Sequence, residues 1–347
     1  MDLETVQDFE EVRSRWDRFW KHESRRPMIR GQILKPGKEP VGKPPYASGH
    51  EGDFGPVIDG ILTWADAYEF VGDAIPFFYL EFAADHFSSL LGVDLEFREG
   101  QTGGWPVHCI DDPDQADIRF RPDCRWWERT AEFAEELEKH VCGNVMIAAP
   151  SLVANLDALV AMMGAQNVLM ALIDKPDSVK RMLQDVTKAH GEILDAFADL
   201  FEFGIRGSIN RHGFYSSGCM NVAQCDISAM IGPDMFREFA LPCVKQELAR
   251  YDGGEYHLDG PDAIKHLEAL CELEEIDIIQ WIPGAGEASS QDWTWLYDKI
   301  DSLGKGQWRG GSIEQIRDIL DRTESRMLVL DIDGASRQEI EDLIAEF

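Results

Sequence analysis

From about residue 141 onward, apolar runs and amphipathic stretches take turns along the chain, and this alternation constrains the fold more than any other feature. Helical spacing over Asp177 to Phe201 precedes an apolar run at Gly207 to Asn210, and Pro233 to Arg250 precedes Glu255 to Asp259. Asp262 to Cys271 then leads to Asp277–Trp281, Gln291 to Leu303 to Gly306–Trp308, and Ser312 to Arg322 to Met327–Ile332, before a last helix over Ser336 to Ala345. Each unit takes roughly 25 to 35 residues, the length of a βα crossover. The expectation is an α/β protein on parallel strands, and 347 residues fit one (β/α)8 TIM barrel as a single domain. A doubly wound open sheet is the structural alternative, but no Gly-x-Gly-x-x-Gly follows a strand near the amino end, and no P-loop sequence is present.

Residues 1 to 140 are less regular and read as an N-terminal helical extension, long loops and the first strands. Leu3 to His22 has Phe9, Val12, Trp16, Phe19 and Trp20 at near-helical spacing, and Met28 to Leu34 is the first strand candidate. Lys35 to Gly60 is rich in Pro and Gly and carries His50, Glu51 and Asp53, a lid or a solvated loop. Ile61 to Phe70 and Phe82 to Leu91 look helical. Glu81 and Asp85 lie one helical turn apart, facing a pocket or water. Asp94 to Asp123 resembles an excursion, Cys124 to His140 a helix, and Val145 to Ala149 a short strand.

The chain holds 33 basic and 64 acidic residues, a formal net charge of −31. That field opposes binding to nucleic acid or to an anionic membrane. No apolar run is long enough to span a bilayer and Met1-Asp2-Leu3-Glu4 is no leader, so the expectation is a cytoplasmic protein. Seven scattered cysteines without a Cys-x-x-Cys pair read as reduced thiols.

Chemistry is expected at Tyr256-His257-Leu258-Asp259-Gly260-Pro261. On a strand, His257 and Asp259 project from one side, and Gly260 and Pro261 end the strand just beyond them. A base beside a carboxylate at a strand's carboxyl end is where parallel α/β enzymes place their catalytic groups. The bland alternative is that the two satisfy each other and cap a helix. Asp226 is a further candidate carboxylate, or the cap of a short helix over Ile227 to Ile231. The other strand ends offer Asn210, Arg211, His212 and Tyr215, then Gln280 and Trp281, then Arg309, as substrate contacts.

Several segments in this order resemble the uroporphyrinogen decarboxylase superfamily, which includes decarboxylases and zinc- and corrinoid-linked methyltransferases. They are Asp174-Lys175-Pro176-Asp177-Ser178-Val179, Gly232 to Phe239 with Leu241-Pro242, Tyr256 to Gly260, and Asp277 to Gly284. The resemblance implies an eight-stranded barrel with its site at the carboxyl mouth. In the zinc methyltransferases the matching strand carries His-x-Cys, with a further Cys on a later strand. Here His257 matches, Asp259 stands in place of the thiolate, and no cysteine follows Cys271. A thiolate zinc site is therefore not expected, and whether a metal binds stays open; a divalent ion such as zinc, if held, would sit at a harder site on His257, Asp259 and Cys225 or Asp226. Arg25, Arg26 and Arg30 do not make the arginine-rich pattern of the porphyrin decarboxylases.

Three functions compete. The first is methyl transfer or demethylation of a small organic substrate with a corrinoid or pterin partner, the corrinoid entering only on a partner protein. The second is acid/base chemistry without methyl transfer, either decarboxylation or glycoside cleavage by Asp226 and Asp259. The third is a non-catalytic ligand-binding barrel. Homo-oligomerisation is compatible with all three.

Overall fold

The computed structural model describes residues 3–98, 103–284 and 286–347. A seven-stranded sheet forms its spine, in the spatial order Tyr68–Gly72, Met28–Leu34, Leu328–Ile332, Gly306–Gly311, Ile278–Ile282, Glu255–Asp259 and Ala223–Gln224. Tyr68–Gly72 runs antiparallel to Met28–Leu34, and the other neighbours are parallel. Phe77–Tyr79 and Met146–Ala148 form a separate parallel pair, and Ser208–Ile209 pairs antiparallel with Tyr215–Ser216. Among the described residues the hydrogen-bonded sheet does not close into the expected eight-stranded barrel. The strands that would join its edges are only two or three residues long, too short to carry a full ladder on both sides.

Parallel strands are covered on both faces, so they read as apolar runs rather than alternations. One core gathers Met28, Met146, Ile209, Ile278 and Val329, at or near the starts of five strands. Helix Phe9–Trp20 packs Phe9, Val12, Trp16 and Phe19 into this core, and Trp20 donates its indole N–H to the Tyr215 carbonyl at 2.6 Å. Buried Asp73 ties that helix to the first strand, accepting from Arg15, from both Nη atoms of Arg26 and from the Ile29 amide. The amino ends are thereby packed shut.

A second, larger core lies between the strands and the helices, among them Arg125–Val141, Asn155–Met163 and Pro176–Leu200. The expected helix over Pro233 to Arg250 is broken into Pro233–Met235, a π-helical turn at Phe236–Ala240, and Leu241–Leu248. Pro242 has no N–H to return to the preceding turn, which accounts for the wider turn before it. The expected helix over Phe82 to Leu91 shrinks to His86–Ser89, because Phe82 instead gives its backbone N–H to the His86 ring. Among the described residues no single helix is long and apolar enough to cross a membrane.

Candidate functional site

Strand alternation builds the site. Tyr256 and Leu258 are buried in the core beneath the helices, so His257 and Asp259 project from the opposite side. Register then places Gln280 and Gln224 beside His257 on its two neighbouring strands. Asp226, two residues beyond Gln224, emerges on that side as well. The ligand-capable atoms of Asp226, His257 and Asp259 all lie within 4.8 Å of one another. His257 and Asp259 thus stand side by side with Asp226, and no hydrogen bond joins the two among the described residues.

The capping alternative for Asp226 is answered by a residue far away in sequence. Asp157 accepts the N–H groups of Asp226 and Ile227, at 2.7 and 3.0 Å, and so caps the short 3-10 turn Asp226–Met230. Asp226 keeps its own carboxylate for the site, where it accepts from the Gln224 amide at 2.9 Å.

His257 Nδ1 bonds the Gln280 amide oxygen. That oxygen only accepts, so the ring N–H sits on Nδ1 and Nε2 is left as a bare base. Burial, reinforced by Arg211, pushes the imidazole down to about 3, so it is neutral at physiological pH. Asp226 is exposed at the rim, yet its carboxylate is crowded enough that burial, and then Asp259, push it up to about 6. Burial also raises Asp259, against the pull of Arg211. Deeper in, burial lifts Glu81 to about 7 and Asp85 to about 6, while burial and Asp226 lift Asp157 to about 8. Glu81 is buried and accepts the Ser151 amide, and with the helix beginning only at His86 the two carboxylates are not one helical turn apart.

Arg211 offsets this acidity. Its guanidinium bonds the Gln224 side chain at 2.6 Å and the His212 ring at 3.2 Å, and no carboxylate lies within salt-bridge distance of it among the described residues. His212 itself bonds Glu255 at 2.7 Å, and Glu255 also takes the Asn210 amide at 2.5 Å. Asn210 uses its oxygen to accept from the backbone of His212 and Phe214. Asn210 is thus an internal brace rather than a substrate contact.

Four expected site residues lie elsewhere. Cys225 is buried on the opposite side from Gln224 and Asp226, its thiol pushed up by burial and neighbouring carboxylates, and it is not among the converging ligand atoms. Trp281 sits opposite Leu258 in register and packs under the helices against Trp293, at 5.0 Å between centroids. Tyr215 is buried with the N-terminal helix, receiving a bond from Arg13 and donating one to the Arg206 carbonyl. Arg309 lies on Tyr297 of the covering helix, its guanidinium 3.5 Å from the ring centroid. Cys225, Trp281 and Arg309 lie elsewhere for one reason: adjacent strand residues face opposite ways, and a polar type alone does not say which way.

The same alternation brings in residues that were not among the expected substrate contacts. Trp308, not Arg309, faces inward, and its indole N–H reaches Asp331 at 2.7 Å. Gln224 was legible from its spacing to Asp226, whereas nothing local in the sequence points to Asp157. Arg30, Lys43, Arg211 and Trp308 line a cavity of about 470 Å³ that also reaches Asp331. A cavity of about 530 Å³ lies at the starts of the Met146 and Ser208 strands, beside Cys142 and Arg206, and holds none of the converging ligands.

One neutral imidazole and two carboxylates, with Gln280 fixing the imidazole from behind, make a donor set suited to a hard or borderline divalent cation. It does not resemble a thiolate site.

No family model matches the chain, and no curated protein matches it. Among solved structures, a methyltransferase from Methanosarcina mazei matches over 96% of this chain and 97% of its own, with TM-score 0.58 and 11% sequence identity. At that identity the two chains share a fold.

Proposed function

We propose that this chain is a transferase that moves a methyl group between a small organic substrate and a corrinoid or pterin partner, at a mouth formed by Asp226, His257 and Asp259. The observation that carries the reading is the convergence of those three side chains within 4.8 Å, at the carboxyl end of parallel strands. The shared fold with a methyltransferase over nearly the whole chain supports the reaction class. On this reading the long sheet and the short ladders at Phe77 and Ser208 are arcs of one eight-stranded barrel.

The residues have distinct tasks. His257, neutral and held by Gln280, offers Nε2 as a ligand or base. Where no cation engages its carboxylate, Asp226, pushed up to about 6, can deliver or remove the proton at the substrate heteroatom that loses or gains methyl. In demethylation the carbon–heteroatom bond breaks, its electron pair stays on the heteroatom, and the methyl goes to the partner. Asp226, His257 and Asp259 would hold a divalent cation, which would supply Lewis-acid stabilisation of that heteroatom. Arg211 lines the neighbouring cavity and its charge opposes the upward push that burial gives Asp259.

The test begins with metal analysis of protein purified without chelators, expected to return one divalent ion per chain. Methyl transfer to a corrinoid protein should follow, and His257→Ala should lower it by about 10²- to 10⁴-fold without changing the unfolding temperature. Absence of both metal uptake and turnover rejects the proposal.

A metal-free acid/base enzyme, decarboxylating or cleaving a glycoside, is the second reading. What favours it is the crowding of the carboxylates, since burial and then the charge of Asp259 push Asp226 up to about 6. Activity that survives chelation and vanishes in Asp226→Asn, with loss of carbon dioxide or sugar release, selects this reading over the first.

A further inference from the structure

The cavity of about 470 Å³ beside the acidic group is unusual for this chain in the sign of its charge. With nearly two acidic residues for every basic one, most buried or half-buried cations here have a carboxylate partner. Two that line this cavity do not. Lys43 has its ammonium 3.7 Å from the Phe77 ring centroid and 4.6 Å from that of Trp64, with no carboxylate in contact among the described residues. Among the described residues Arg211 bonds only the neutral Gln224 and His212 side chains. Arg30, the third cation, is fully employed by Asp331 and by the His212 and Gly213 carbonyls.

A buried cation without a counter-ion is costly, and two in one cavity more so. The cost shows at Lys43. Burial and the charge of Arg30 lower its ammonium to about 7, although the aromatic rings favour the charged form. The charged and titratable groups facing it are Arg30, Arg211 and His212, with Asp331 held by Arg30 and Trp308 and with Asp333 at the exposed rim.

The geometry points to this cavity as an anion subsite for a small aromatic carboxylate, its carboxylate received by Lys43 and Arg211 and its ring by Trp64, Phe77 and Trp308. The walls are flat and apolar, as a planar ring requires. The inference deepens the proposed function, because Arg211 adjoins both regions: a substrate anchored here by its acid group presents its far end to Asp226, His257 and Asp259. Binding restores a counter-ion to Lys43 and raises its affinity for a proton.

The test is calorimetric titration of the full chain with benzoate and with benzamide, its uncharged analogue, in the presence of chelator. Benzoate is expected to bind at least about tenfold more tightly than benzamide. Lys43→Met should remove that preference and Lys43→Arg should keep it. At pH 8, titrations in two buffers of different ionisation enthalpy should reveal proton uptake with benzoate, absent in Lys43→Met. Asp259→Asn, which disables the proposed chemistry, should bind benzoate as well or better, so failure of the methyl-transfer reading does not disturb this result. Equal affinity for the two probes, or benzoate binding that survives Lys43→Met but is lost in Asp259→Asn, overturns the subsite.

Discussion

His212 and His257 stand with ring centroids 5.9 Å apart, and burial lowers both imidazoles, yet they occupy opposite kinds of surroundings. His212 belongs to a closed network: Glu255 takes its ring N–H, Asn210 takes the other oxygen of Glu255, and Asn210 in turn holds the backbone of the turn that follows. His257 has an amide behind it and carboxylates before it that bond neither it nor each other. A histidine paired with a buried carboxylate would ordinarily attract the catalytic assignment. Here the satisfied pair is the scaffold, and the unsatisfied group has bonding capacity left for a ligand.

The largest expected contrast is in stability. Glu255→Ala leaves His212 and Asn210 facing an empty buried site and should cost about 3–5 kcal/mol. Asp259→Ala removes one of two mutually repelling carboxylates and should change stability by no more than about 1 kcal/mol. Urea unfolding of both variants measures the difference, and equal losses would erase the distinction between scaffold and site.

Next in size is the amide behind His257. Gln280→Ala should weaken divalent-cation affinity by about 10- to 100-fold, while Gln280→Glu, which keeps an acceptor at Nδ1, should retain most of it. A competition assay with a chelating dye reads both. Unchanged affinity in Gln280→Ala would mean that His257 is not a ligand.

The smallest effect concerns the buried carboxylates behind the site. Burial pushes Glu247 up to about 8, while Asn155 donates to both of its oxygens. Its folded value lies above its unfolded one, so between about pH 4.5 and 8 the folded chain binds the extra proton. Stability from this group is therefore full below that window and falls as pH rises through it. Glu247→Gln is neutral throughout and should flatten the decline, narrowing the loss of Tm between pH 5 and 8 by about 2–4 °C. Parallel pH profiles for the two proteins would show that Glu247 is charged when folded.

Much of this was legible in the residues. The apolar runs at Met28–Leu34 and Glu255–Asp259 became strands with the expected bounds, because a strand buried on both faces has no other pattern to show. His257, Asp259 and Asp226 could be chosen because period-two spacing puts His257 and Asp259 on one side. Trp281, Arg309 and Cys225 lie on the other face, since facing inward or outward depends on register with a neighbouring strand, and Tyr215 packs on the N-terminal helix.

By itself, then, the sequence determined the α/β alternation, the strand bearing His257 and Asp259, and the acidity that disfavours polyanionic partners, all consequences of local periodicity and summed charge. Only the tertiary structure decided that Asp157 rather than Asp226 caps the Asp226–Met230 turn, that Gln280 holds His257, and that Lys43 and Arg211 share a cavity with no carboxylate bonded to either among the described residues. Those are contacts between residues 23 to 168 positions apart in the chain, and no local propensity records which distant partner a polar group will meet.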